Sequence, residues 1–528
     1  MSGKCTRTWS VSLAPTPNSG TFFTRTFLLS NRRKRVTIIG GGIGGLSAGC
    51  YLQMNGYDTR VLEMGHMCGG VCVSWKRRGY VFDGATNWLP GSADTINLHT
   101  LLAELIDFSK LKIKYSDIFI RVEHDGGYFN VYNGARKLRD EMMRIAPEDR
   151  GPIEEFTNAI TAAAKLPIPF EKPPEAYSIA DFLAFPFKNY RLIRFLMKWR
   201  GMTIGDYARR FRNPRMREMF LQIFPHHEFF SMFALCIALG WMSARSDGYP
   251  LGGSARFTEV ILERYRELGG VVDLNKRVTE VLVHDGAARG VVCADGSRYD
   301  ADVVVSSADV RETLMEILGG RYIDARTRRQ FENWDVYPSL LQISLGVART
   351  FEGEAPKLNI PLCRPIRMGE FEARDIMVRV CNFDPSLSPP GKTSLVVHIR
   401  TPDYAYWCDL RENNTRRYRA EKESVADTVI DTLERRFGRV KNKVEVCDVA
   451  TPATFVRYTN IWKGSYQGWA PTPRAVGRTL TKTFPGLKDF YLAGMWAWPG
   501  GGLTGVIRLA RDVAYLICRA DNRQFTTT

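Results

Sequence analysis

The 528-residue chain has no apolar run long enough to cross a bilayer. Its longest, Phe229 to Met242, falls short of the roughly 20 residues a membrane-spanning helix needs and reads as a buried or interfacial helix. CxxC pairs are absent. Eleven cysteines are scattered, the closest two being Cys68 and Cys72, which argues against a zinc site or a disulfide framework and for a reduced, cytosolic setting. No internal repeat of solenoid or propeller period occurs, and 46 Gly and 26 Pro form no low-complexity run. The net charge of +17 comes without any nucleic-acid-binding module, so it favours anionic surfaces in general without choosing a nucleic acid as partner. Acidic residues are missing altogether before Asp58, while residues 1–35 are rich in Ser and Thr and carry Lys4, Arg7, Arg25 and a basic run at 32–35. Such a leader reads as an organelle transit peptide, as a disordered basic tail, or as the product of an upstream start codon.

What is present describes a folded globular chain. Hydrophobic residues make up 45% and charged residues 24%, and the length exceeds what one hydrophobic core supports, so two domains built from non-contiguous segments are expected. Val36 to Ile39 reads as a short buried strand. It runs into Gly40-Gly-Gly42-Ile43-Gly44-Gly45 and then a segment with helical spacing of its apolar residues. Gly40, Gly42 and Gly45 satisfy GxGxxG: the first makes the tight turn, the second lets the backbone approach a pyrophosphate, and the third lets helix pack on strand. The helix amino terminus adds free N–H groups and a positive dipole end. A second strand ends at Glu63, 23 positions after Gly40, where a carboxylate accepts both ribose hydroxyls of an adenosine. Strand, turn, helix and acid together predict a dinucleotide site.

The following residues indicate which dinucleotide. Gly69-Gly70 comes six residues after Glu63, a strand-like Gly79 to Asp83 leads into Gly84-Ala-Thr-Asn-Trp88, and near the far end Phe490 to Gly494 runs into Met495-Trp-Ala-Trp-Pro-Gly-Gly-Gly502-Leu503-Thr504-Gly505. In these motifs the chain resembles the flavoprotein family of phytoene desaturases, carotenoid isomerases and retinol saturases, itself related to amine oxidases. The resemblance covers nearly everything after residue 35 and implies bound FAD. It also implies an α/β fold with a Rossmann-like FAD-binding domain assembled from residues 36–115, 248–310 and 455–522. An α+β substrate domain with an antiparallel sheet is expected from 116–247 and 311–454. The cofactor contacts so implied are Gly40, Gly42, Ile43, Gly44, Gly45, Glu63, Met64, Gly69, Gly70, Val71, Val278, Gly494, Met495, Leu503 and Thr504. Met67 and Val71 stand where many relatives have Arg, so backbone rather than guanidinium contacts are expected there. Met495 replaces a frequent acid, leaving ribityl binding to backbone or water.

A flavin carries out hydride or electron transfer itself, so the lack of a Ser/His/Asp or metal constellation excludes little. No catalytic residue is assigned and no metal is expected. His226-His227-Glu228 is either an acid/base group or a solvated loop cluster. Trp88, Trp496 and Trp498 either wall a polyene slot or are core aromatics. From Lys188 to Arg200, the cations Lys188, Arg191, Arg194 and Lys198 share one face of a helix, with Leu192, Ile193, Leu196 and Trp199 on the neighbouring arc. This is either a membrane-interface helix or a surface helix with its apolar side in the core. Three functions compete. The first acts on double bonds of a long isoprenoid or carotenoid-like lipid by desaturation, saturation or isomerisation. The others are an amine or porphyrinogen oxidase and a non-catalytic prenyl-binding protein of the GDP-dissociation-inhibitor type. The first implies an apolar substrate drawn from a membrane and a cytoplasmic, peripherally bound protein, or an imported one if the leader is a transit peptide; it leaves the electron acceptor open.

Overall fold

A computed structural model describes residues 32–124 and 127–528. Residues 1–31, which hold most of the basic leader, lie outside the described residues. Lys34 to Thr528 forms one compact unit.

Arg35–Ile39 is the middle strand of a five-stranded, all-parallel sheet, its residues Val36 to Ile39 buried on both faces as such strands must be. On one side it pairs with Asp58–Leu62, which pairs with Val271–Asp273. On the other it pairs with Val303–Ser306, which pairs with Phe490–Leu492. Strands more than 450 residues apart in the chain thus complete one sheet. The helix Ile43–Met54, buried along almost its whole length, packs against Gly253–Glu267 and Gly502–Ala520. Gly49 makes the first of these contacts possible: a Cβ there would stand 2.5 Å from the Tyr265 ring. Ile168 and Phe170, assigned by sequence to the other domain, pack into this same core.

The hairpin signals at Asp285-Gly286 and Asp295-Gly296 lie in an antiparallel meander of Val278–His284, Ala287–Cys293 and Arg298–Asp300. Asp285 and Gly286 both take positive φ, 50° and 69°, as a two-residue turn matched to strand twist demands.

The expected antiparallel sheet has seven strands, in the order Val444–Ala450, Ser339–Val347, Thr393–Thr401, Phe371–Val380, Lys357–Met368, Ile118–His124, Gly127–Tyr132. One pairing departs from the expectation: Lys357–Met368 runs parallel to Ile118–His124, because the chain returns to the sheet edge from a distant segment and not through a hairpin. The helices Tyr404–Asn413 and Thr415–Phe437 supply side chains to the core on this sheet. Met232–Ser243 is the buried helix read from the apolar run, with Gly240 against the backbone of Ala163-Ala164.

The sheet is fastened to the nucleotide-fold side at Asp83. Its carboxylate accepts from the Ser254 hydroxyl and, at 2.7 Å, from the Tyr249 hydroxyl. The guanidinium of Arg379 lies 3.5 Å from the same carboxylate and donates to the Asp83 carbonyl at 3.0 Å.

Candidate functional site

A cleft of about 1050 Å³ opens at the carboxyl ends of the parallel strands, where ligands bind in open α/β sheets. Gly40, Gly42, Ile43 and Gly44 form one wall, Glu63 and Met64 follow the strand Asp58–Leu62 into it, and Gly69, Gly70 and Val71 form the facing loop. Val278 lines it from the meander, and Met495 and Leu503 from the carboxyl-terminal segment. Residues separated by more than 460 positions therefore converge on one cavity.

Three expected contacts stand behind the wall. Gly45 is where helix meets strand: a Cβ there would sit 1.9 Å from the Gly40 carbonyl oxygen. Gly494, at φ +98°, is pressed against Ser307. The Thr504 hydroxyl donates to the Pro90 carbonyl at 2.6 Å, tying the start of the closing helix to the Gly84–Pro90 loop.

The space fits a dinucleotide. Ile43–Met54 and Gly502–Ala520 both begin at the cleft with glycine at the N-cap, no capping side chain and no acid in the first turn. Their first-turn N–H groups and dipole ends are thus left for an anion. A Cβ on Gly42 would meet nothing nearer than 3.9 Å and would project into the free volume. At Gly44 the amino-terminal turn meets the middle and carboxyl-terminal segments, its Cβ position lying 2.7 Å from Ser307 Oγ, 2.9 Å from Val506 and 3.1 Å from Gly494. The Glu63 carboxylate accepts from the N–H groups of Gly41 and Gly65, both at 2.7 Å. Burial raises its pKa, opposed by these backbone donors. Each oxygen keeps a lone pair for a further donor.

Sequence reading missed Ser307, Ala308 and Asp309, which line the cleft just after Val303–Ser306. The signal was available, since they follow a buried parallel strand. Asp309 accepts from the N–H groups of Arg311 (2.9 Å), Glu312 (3.1 Å) and Trp462 (2.9 Å), and burial pushes it up to about 6.

A second cavity of about 810 Å³ lies across the Gly84–Pro90 loop, between that loop and the seven-stranded sheet. Trp88, Phe119 and Phe383 give it apolar walls, Lys357 and Arg379 are its buried charges, and the partly buried Asp247 and Glu354 and the exposed Lys114 also line it. Trp88 is thus a cavity wall. Trp496 borders the cleft and packs with Trp462 and Trp469, ring centroids 5.8 and 5.3 Å away. His227 is neither solvated nor in either cavity. It is fully buried against Phe230 and Tyr337, its Nδ1 is 2.7 Å from the Pro225 carbonyl, and burial holds its pKa well below the usual value.

Residues 43–518 match the family described as "Flavin containing amine oxidoreductase". The chain belongs to that family. It is an FAD-dependent oxidoreductase, which sets aside the non-catalytic prenyl-binding alternative. Among its relatives is a phytoene desaturase (lycopene-forming) from Pseudescherichia vulneris, 24% identical over 511 residues, covering 92% of this chain and 99% of the relative. Prolycopene isomerase 1, chloroplastic, from an Oncidium hybrid cultivar is 26% identical, covering 89% of this chain and 81% of its own. In fold the flavoprotein is similar to an oxidoreductase from Methanosarcina mazei, with TM-score 0.58 and 18% identity over 91% of this chain and 99% of that one.

No helix of the flavoprotein, among the described residues, is long and apolar enough to cross a membrane. The basic segment 188–200 falls in two helices, Ile179–Lys188 and Tyr190–Trp199. The second sends Phe195 and Trp199 into the core, and Lys198 pairs with Glu155 at 2.9 Å. Most of the exposed apolar surface belongs to the first, where Ile179, Phe182, Leu183 and Phe187 are 63–83% exposed; Tyr190 and Met197 of the second add to it, with Lys188, Arg191 and Arg194 exposed beside them.

Proposed function

We propose that this flavoprotein changes the double bonds of a long, apolar isoprenoid or carotenoid-like lipid by desaturation, saturation or cis–trans isomerisation. The observation that carries the reading is similarity along nine-tenths of the chain to proteins named as a phytoene desaturase and a prolycopene isomerase. The exposed apolar helix Ile179–Lys188 with its basic neighbours supports it, as an edge that sits in an anionic membrane interface and meets a lipid-dissolved substrate there.

In this reading residues 36–115, 248–310 and 455–522 carry the cofactor, and 116–247 with 311–454 carry the substrate. FAD supplies hydride or electron transfer at its ring. The start of Ile43–Met54 and the Gly69-Gly70 loop hold its phosphates, Glu63 accepts its adenosine ribose hydroxyls and Val278 meets its adenine. Met495 and Leu503 border the ring end. Trp88 and Phe119 wall the substrate space and exclude water from it.

The test is incubation of the purified holoenzyme with polyenes dispersed in vesicles, followed by separation of products. A product differing in double-bond number or geometry is expected. Rapid flavin reduction by a small soluble amine, with all polyenes returned unchanged, overturns the reading in favour of an amine oxidase.

A further inference from the structure

The second cavity contains a buried cation with no counter-ion in contact. Lys357 opens the strand Lys357–Met368 and stands directly opposite Arg379 on Phe371–Val380, and both are buried, 8% and 2% exposed. Like charges in opposed positions on adjacent strands repel. Arg379 is compensated by Asp83 and by the Asp83 and Thr86 carbonyls. Lys357 donates one hydrogen bond, to the Asn87 carbonyl at 3.2 Å, and its ammonium lies 4.7 Å from the ring centroids of both Trp88 and Phe119. An ammonium has three donors. The aromatic faces stabilise the charge without accepting the remaining protons in ordinary hydrogen bonds.

Asp247, from the loop that follows Met232–Ser243, lines the same cavity. It forms no ion pair with Lys357 within 4.0 Å, although each feels the other's charge: burial pushes Lys357 down to about 7 and Asp247 up to about 6, and the mutual attraction opposes both shifts. Holding a buried cation and a partly buried carboxylate around one space without joining them is costly. A ligand group that bridges them removes that cost.

Resting on the lipid-substrate reading above, we propose that this cavity binds the hydroxyl end of an otherwise apolar substrate, with the hydroxyl oxygen accepting from Lys357 and its proton donated to Asp247. A hydroxyl offers one acceptor and one donor, matching the pair. A carboxylate satisfies Lys357 but sets a second anion beside Asp247, and a hydrocarbon end satisfies neither. Trp88, Phe119 and Phe383 then enclose the adjoining chain.

The experiment measures equilibrium binding to the holoenzyme, by quenching of tryptophan fluorescence, of three matched probes: geranylgeraniol, geranylgeranoic acid and the corresponding hydrocarbon. The alcohol is expected to bind roughly tenfold or more tighter than the hydrocarbon, and tighter than the acid. Lys357→Met and Asp247→Asn should each reduce the alcohol to the affinity of the hydrocarbon while leaving the flavin spectrum and hydrocarbon binding unchanged. Equal binding of alcohol and hydrocarbon, preference for the acid, or an alcohol preference that survives both substitutions overturns this inference alone. The wild-type comparison stands if either variant fails to fold. Failure of all three probes to bind overturns the lipid-substrate reading with it.

Discussion

Gly42 has an ordinary backbone, φ −70° and ψ 176°, so a side chain there is sterically free of its own main chain and meets only the cleft. Gly42→Leu should therefore fold normally and lose FAD, read as loss of flavin-fluorescence quenching when FAD is titrated into apoprotein; retained tight binding would move the cofactor out of this cleft. Lys357 makes a different prediction. The folded chain releases its proton at about 7 and the unfolded one at 10.5, so between those values the unfolded state binds more protons and stability rises with pH. Below 7 both states are protonated and the full cost of the buried charge remains. Asp247 gives the opposite slope, stability falling as pH rises from 3.8 to about 6. Denaturant unfolding across pH should show the upward limb in the wild type and its loss in Lys357→Met. The glycines and Glu63 were legible from sequence because their roles are set by neighbours within thirty residues. Lys357 and Asp247 were not, since nothing local distinguishes a buried lysine at a strand start from the exposed kind.

At the scale of elements, periodicity marked Lys188 to Arg200 as amphipathic but gave no means of telling a face that meets lipid from one that meets protein. Tertiary packing decides it: Phe195 and Trp199 are interior, and most of the free apolar surface belongs to the preceding helix, whose interior Pro186 and dense Phe content obscured it as a helix in sequence. Phe182→Asp with Phe187→Asp should abolish flotation with anionic vesicles and leave flavin content unchanged, since neither side chain is in the core. Glu at Lys188, Arg191 and Arg194 should weaken flotation by about 1 kcal/mol per charge and make the residual binding insensitive to salt. Unaltered flotation in both variants would remove the membrane role from this edge.

For the molecule as a whole, the closing of one parallel sheet by strands from both ends was legible because each end carries its own glycine-rich turn. The attachment of the seven-stranded sheet was not, because it depends on a buried pair, Asp83 and Arg379, 296 positions apart. Removing one partner leaves an uncompensated buried charge, so Arg379→Met should cost about 3–5 kcal/mol in denaturant unfolding. A neutral outcome would mean that the sheet is held by apolar packing alone. The cleft between the two glycine-rich turns is the place of FAD. The purified, full-length wild-type protein should show the visible absorbance of an oxidised flavin, and acid precipitation should release intact FAD into the supernatant at about one per chain. A colourless protein that takes up no FAD on reconstitution would contradict it.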